Sequence, residues 1–185
     1  MSVHEALVAH LLEHSVRTDG PFTLKSGRQS DWFIDAKATT CSPEGMLLVA
    51  DAAIAVLPDD VTAVGGLTVG ADAMAYAIAA IAATRGRMLR SFTVRKAAKA
   101  GGTGGRIAGA LHPGDRVAIT EDAVTRGVSM LEAAEVVRRE GGAHPVLLLP
   151  LVDRGGTVAA LAETAGIALH ALVPAPDLGF DYDPG

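Results

Sequence analysis

With 185 residues the chain is about the size of one domain and long enough for a single buried core. It is 49% hydrophobic with 21 glycines and 4% aromatic residues, which excludes a disordered or collagen-like chain and fits a helix-and-sheet protein. A net charge of −5 argues against a general nucleic-acid binder, and no run approaches the roughly 18 unbroken apolar residues of a membrane span.

The N-terminus, MSVHEALVAHLLEH, carries acids and histidines where a signal peptide wants a basic and then an apolar run. Val3, Leu7 and Leu11 recur every four residues and predict an opening helix. Inside it His10, Glu13 and His14 match the H-x-x-E-H pattern of one zinc-peptidase class, but no clear third ligand follows, and an amphipathic helix accounts for them. After Gly20-Pro21, short strands are expected over 22–25 and 32–35, joined by a polar turn through Gly27. The single Cys41 cannot form an internal disulfide, so a reducing cytoplasm is the expected compartment and a small buried side chain its expected role.

From Ser42, which caps a helix with Pro43 at its first position and an end near 57, the pattern becomes regular. A strand is expected over 61–64, a loop over Gly65-Gly66-Leu67-Thr68-Val69-Gly70, a helix over 71–84 and a strand over 88–94. A Lys/Gly-rich loop precedes the strand 117–120, the acids Glu121 and Asp122, a loop from Ala123 to Ser129, and a helix ending at Gly141-Gly142. A strand over 146–152, a helix over 157–164, a last strand over 168–173 and a coil tail complete the chain. Strands alternating with helices imply βαβ units and a mostly parallel sheet, with ligands beyond the carboxyl ends of its strands. No linker or internal repeat divides the chain, so one domain is expected, with an N-terminal hood of about 1–40, a core of 41–174 and a tail of 175–185.

The stretch RVAITEDAVTRGVSMLEAAEVVRRE over 116–140 carries the clearest chemistry. Unpaired N–H groups of a loop and a first helical turn, with the helix dipole behind them, make an anion site. Two carboxylates beside it would repel a bare phosphate, so they call for sugar hydroxyls or a metal. Together the parts suggest a sugar phosphate. The stretch RKAAKAGGTGGR over 95–106 has four basic residues, four glycines and no acid, which suits a flap closing over an anion. A solvated basic hairpin is the plainer alternative, as an acidic helix approach is for Glu121-Asp122 and a surface ion pair for Asp153-Arg154.

Four segments carry a resemblance: FTLKSGRQS over 22–30, VGGLTVGAD over 64–72, FTVRKAAK over 92–99 and VAITEDAVTRGVS over 117–129. In that order they resemble the orotate phosphoribosyltransferases, and the last is similar to the phosphoribosyl pyrophosphate (PRPP) signature of the wider class. The resemblance implies an α/β fold with a twisted, mostly parallel sheet flanked by helices and a small N-terminal hood. It also implies transfer of the 5-phosphoribosyl group from PRPP to orotate in pyrimidine biosynthesis. Lys99, Lys96 and Asp122 would then be catalytic. PRPP would be held by Arg95, Lys96, Lys99, Glu121, Asp122 and the loop Ala123, Val124, Thr125, Arg126, Gly127, Val128 and Ser129. Orotate would lie near Lys25 and the backbone of Trp32 and Phe33, with Thr125 and Arg154 at its polar edge. Mg2+ would be carried mainly by PRPP, with no dedicated protein ligands, and the flap would complete the neighbour's site in a homodimer. No nucleic-acid or membrane partner is expected. Gly101 stands where the family usually has a flap histidine, and Arg126 and Val128 where it usually has small residues. Those departures motivate two alternatives: transfer to another base, or a noncatalytic PRPP- or nucleotide-binding paralogue.

Overall fold

The computed structural model describes residues 1–24, 27–99 and 104–183. Helix α1 (Val3–His14) begins with a capping box, in which Ser2 Oγ accepts from the Glu5 N–H at 3.2 Å and Glu5 Oε2 accepts from the Ser2 N–H at 2.6 Å. Its Leu7 and Leu11 are buried, while His10 Nδ1 pairs with Thr39 Oγ1 at 3.1 Å. His10, Glu13 and His14 of the H-x-x-E-H pattern lie on this helix, as expected.

The hood continues as four two-residue strands, where two were expected. They are β1 (Val16–Arg17), β2 (Phe22–Thr23), β3 (Gln29–Ser30) and β4 (Phe33–Ile34). β1 pairs with β4 and β2 with β3, both antiparallel. Pieces this short have no periodicity to read, which is why β1 and β3 escaped the sequence pattern. A short helix α2 (Lys37–Thr40) leads to α3 (Pro43–Val56), whose cap is as expected: Ser42 Oγ accepts from the Gly45 N–H at 3.1 Å. Cys41 between them is exposed, which corrects its expected burial.

The main sheet is built from β5 (Ala63–Leu67), β6 (Arg90–Val94), β7 (Ile107–Gly109), β8 (Arg116–Val124), β9 (His144–Asp153), β10 (Ala168–Leu169) and β11 (Val173–Pro174). Its order is β10-β9-β8-β5-β6-β7, with β11 also on β9, and every pairing is parallel except β6 with β7. Helices α4 (Asp72–Thr84), α5 (Val128–Arg139) and α6 (Val158–Ala165) complete the alternation. Residues of β8 alternate between two cores. Ala118 packs with α1, α3 and α4, while Val117 and Ile119 pack with α5 and α6.

Three expectations are corrected here. The glycines 65 and 66 lie inside β5 instead of forming a loop, because the Phe92 ring of β6 fills the space a side chain on Gly65 would take, its Cδ1 2.7 Å from that position. The strand expected over 168–173 is two pieces, β10 and β11, on one edge of β9. The tail is not a surface coil throughout: a 3-10 turn, Ala175–Leu178, buries Ala175 and Leu178, and Phe180 stacks on Trp32 with ring centroids 4.5 Å apart. No helix among the described residues is long and apolar enough to cross a membrane.

The chain leaves β5 toward β6 on one side, yet leaves β8 toward β9 on the other. The sheet therefore reverses direction between β5 and β8, and their carboxyl ends diverge into a crevice.

Candidate active site

The crevice at the ends of β5 and β8 is a cleft of about 300 Å³, lined among others by Lys37, Thr68, Lys96, Glu121, Asp122 and Ser129. Glu121 and Asp122 were expected beyond their strand; they are instead within β8, which runs on to Val124 and buries both. A strand holds a side chain more firmly than a loop does, so the pair is presented at a fixed position. The loop after β5 packs against it. Asp72 accepts from Thr68 Oγ1 at 2.7 Å and from Thr93 Oγ1, and a Cβ on Gly70 would overlap Glu121 Oε1 and lie 2.7 Å from Asp122 Oδ1. We expect Gly70→Ala to displace the acid pair and weaken sugar-phosphate binding about tenfold, the effect of losing one charged hydrogen bond. Calorimetry with PRPP, beside a circular-dichroism check of the fold, reads this out.

Beyond Val124 the loop is short, because α5 begins at Val128. Gly127 caps it with φ +77°, a conformation glycine adopts without strain, and Leu131 N–H is bonded to Gly127 O at 3.1 Å. The amides of the turn before Leu131 are thus the helix's orphan donors, a ready anion cradle. Val128 and Arg126, where small residues are usual, leave this geometry intact. Both are exposed, and no non-glycine among the described residues has a positive φ.

Burial pushes Glu121 up to about 7; a hydrogen bond from Ser129 opposes the rise and the neighbouring Asp122 charge adds to it. Glu121 therefore keeps a proton in the folded chain more readily than in the unfolded one. Its contribution to stability is fully present below about pH 4.5 and is lost as pH rises through about 7. Thermal melts should show the wild type losing stability across this window relative to Glu121→Gln, which lacks the titration.

Lys37 was missed by the sequence reading. It leaves the hood through α2 and forms an ion pair with Asp122 Oδ2. Burial works against its charge, but the Asp122 hydrogen bond and charge outweigh it and hold the Lys37 pKa above its usual value. A lone lysine after Asp35-Ala36 carries no sequence signal; only the folding of the hood over the sheet brings it there.

The basic stretch begins where β6 ends. Arg95 N–H donates to Arg106 O at 2.7 Å and Lys99 N–H to Gly105 O at 3.0 Å. Arg106 anchors its base, donating from Nε to Arg95 O at 2.7 Å and pairing with Glu132. Lys96 and Lys99 are exposed, and Lys96 reaches the cleft wall; Arg95 Nη1 donates to Gly105 O at 3.3 Å. Gly101 lies outside the described residues, as does Lys25.

Of the residues expected at the base, Arg154 follows β9 and its N–H donates to Val124 O at 2.8 Å, which sets it beside Thr125. Its guanidinium is buried, 4.7 Å over the Trp32 ring, and Nη2 donates to Ser30 Oγ at 2.9 Å and the Trp32 carbonyl at 3.3 Å. Thus Thr125, Arg154 and Trp32 are brought together, while Phe33 is partly exposed in β4 and packs its ring on Phe22, centroids 5.7 Å apart.

An acid pair, a helix N-terminus and a lysine at the switch point of a parallel sheet define the chain as a phosphoribosyltransferase-type α/β protein. No family model matches it. The chain is similar to the orotate phosphoribosyltransferase of Streptomyces avermitilis, with 39% identity over 181 residues covering 97% of this chain and 98% of that one. It is also similar to the solved orotate phosphoribosyltransferase of Mycobacterium tuberculosis H37Rv in complex with Fe(III) dicitrate, with TM-score 0.83, 33% identity and coverage of 97% and 100%. The same enzyme in complex with PRPP gives TM-score 0.79 at 29% identity, again covering 97% and 100%. The chain belongs to the orotate phosphoribosyltransferase family.

Proposed function

We propose that the protein transfers the 5-phosphoribosyl group of PRPP to orotate, giving orotidine 5′-monophosphate and pyrophosphate. The observation that carries this reading is one crevice holding a buried acid pair and Ser129 of the first turn of α5, with the buried Arg154 bonded through its N–H to Val124 O at the end of the same strand. Glu121 and Asp122 accept the ribose hydroxyls, and the amides from Thr125 to Ser129 cradle the 5′-phosphate. Arg95, Lys96 and Lys99 neutralise the pyrophosphate as it leaves. Thr125, Arg154 and the Trp32–Phe33 backbone, with Lys25, position the acidic base.

The bond from ribose C1 to pyrophosphate breaks through an oxocarbenium-like sugar, so the catalysts required are cations, and no side-chain nucleophile is needed. Mg2+ would be carried mainly by the phosphates of PRPP, with water completing its shell and no dedicated protein ligands. When bound, the ion spreads the charge that develops on the departing pyrophosphate. Lys37, already paired with Asp122, holds that carboxylate in place for the ribose. A homodimer in which the flap of one subunit serves the other, and a cytoplasmic location, belong to the same reading.

The test is a magnesium-dependent fall in orotate absorbance on adding PRPP to the purified protein. No fall with orotate but turnover of another base would assign the altered specificity to the same fold. PRPP binding without turnover of any base would make it a noncatalytic relative.

A further inference from the structure

The tail residue Asp183 occupies the arginine that the base is proposed to use. Its Oδ2 lies 3.3 Å from Arg154 Nη2 and its Oδ1 lies 3.2 Å from Arg28 Nη2, so one carboxylate joins the hood arginine to the sheet arginine. The tail is fixed as it leads into this contact. Asp183 N–H donates to the Arg154 carbonyl at 2.9 Å, and the Tyr182 ring lies over Gly156, where a Cβ would meet it at 2.8 Å. Earlier in the tail, Phe180 stacks on Trp32 at an interplanar angle of 8°, and the Trp32 ring carries the Arg154 guanidinium. Tail and hood face each other across a cleft of about 460 Å³ that includes Arg28, Trp32, Tyr182 and Asp183 in its wall.

The contact satisfies Arg154 incompletely. It is monodentate and long, and Arg154 Nε is buried without an acceptor among the described residues. A guanidinium offers a planar fork, and a carboxylate that takes Nε and Nη2 together binds better than one reaching a single nitrogen. A buried, unpaired donor also favours any ligand able to accept from it. A base that brings its own carboxylate can therefore exchange with Asp183 and gain a hydrogen bond. A base without one either leaves Asp183 in place or strips a buried arginine of its counter-ion, which is costly.

We propose that Asp183 is a tethered carboxylate that competes with the carboxylate of the base for Arg154, so that a base gains the arginine only by displacing the tail. This rests on the assignment of Arg154 to the base, which the test separates from the competition itself. Trp32 is the single tryptophan of the chain and stacks within this cluster, so its fluorescence reports base binding without turnover. Orotate and uracil are titrated against the wild type, Asp183→Asn and a chain ending at Phe180, with PRPP present, and KM values are measured in parallel.

Orotate should bind both variants about fivefold more tightly, the scale of a partly exposed ion pair, with KM for PRPP unchanged and binding of uracil, which has no carboxylate to set on Arg154, also unchanged, so that preference for orotate over uracil rises. Unchanged or weaker orotate binding in both variants overturns the competition, whether or not the wild type turns orotate over. Tighter binding in the variants of a protein without transferase activity sustains the competition and overturns the functional reading instead. Absence of orotate binding to all three chains overturns both.

Discussion

Lys99→Ala is expected to lower kcat by about a hundredfold, the effect of removing one well-placed charge stabiliser worth roughly 3 kcal/mol of barrier. The side chain is exposed and the residue is held by its backbone, through the bond from its N–H to Gly105 O at 3.0 Å, so the fold and its melting temperature should be unaffected. What the variant loses is charge at the departing pyrophosphate, an interaction that grows as the bond breaks; kcat should therefore fall more than KM for PRPP rises. The same substitution tests the subunit arrangement. If each flap serves the neighbouring crevice, mixing inactive Lys99→Ala with inactive Asp122→Asn restores about a quarter of wild-type activity, because half of the dimers are hybrids with one intact site. No recovery on mixing places each flap over its own crevice.

Arg154→Leu is expected to raise KM for orotate at least about thirtyfold, from a loss of at least 2 kcal/mol when a buried charged pair loses one partner. KM for PRPP should move much less, since Glu121, Asp122 and the α5 N-terminus are untouched. Leucine keeps apolar contact with the Trp32 ring that the guanidinium now covers at 4.7 Å, which limits the packing loss. Arg154→Lys keeps the charge but not the fork, and should recover only part of the affinity. Steady-state kinetics in both substrates, with a melting curve for each variant, decides the matter; equal effects on the two KM values would assign Arg154 to holding the hood on the sheet.

Local rules reached far along this chain. The cap at Ser42 fixed one helix start, because a side-chain oxygen and the amide it satisfies lie within three residues of each other. The alternation of apolar strands with amphipathic helices implied a parallel sheet, and the acid pair before a glycine-bearing loop implied a sugar-phosphate crevice. These signals are local in sequence, so they survive without coordinates. Misplaced features depended on neighbours. Gly65 and Gly66 read as a loop because glycine alone says turn, yet Phe92 packs where a side chain would go and the strand runs through. Glu121 and Asp122 read as strand-end residues because charge says exposure, whereas pairing of β8 with β9 continues past them to Val124 and Asp153.

By itself, then, the sequence determined the alternation of strands and helices in the core and the family to which the chain belongs. Tertiary structure alone decided that Lys37 meets Asp122 across 85 positions of chain and that Asp183 reaches Arg154 and Arg28. Such ion pairs form only after the hydrophobic cores have set the hood and the tail against the sheet. No periodicity encodes them, since partners far apart in the chain are chosen by packing and not by spacing.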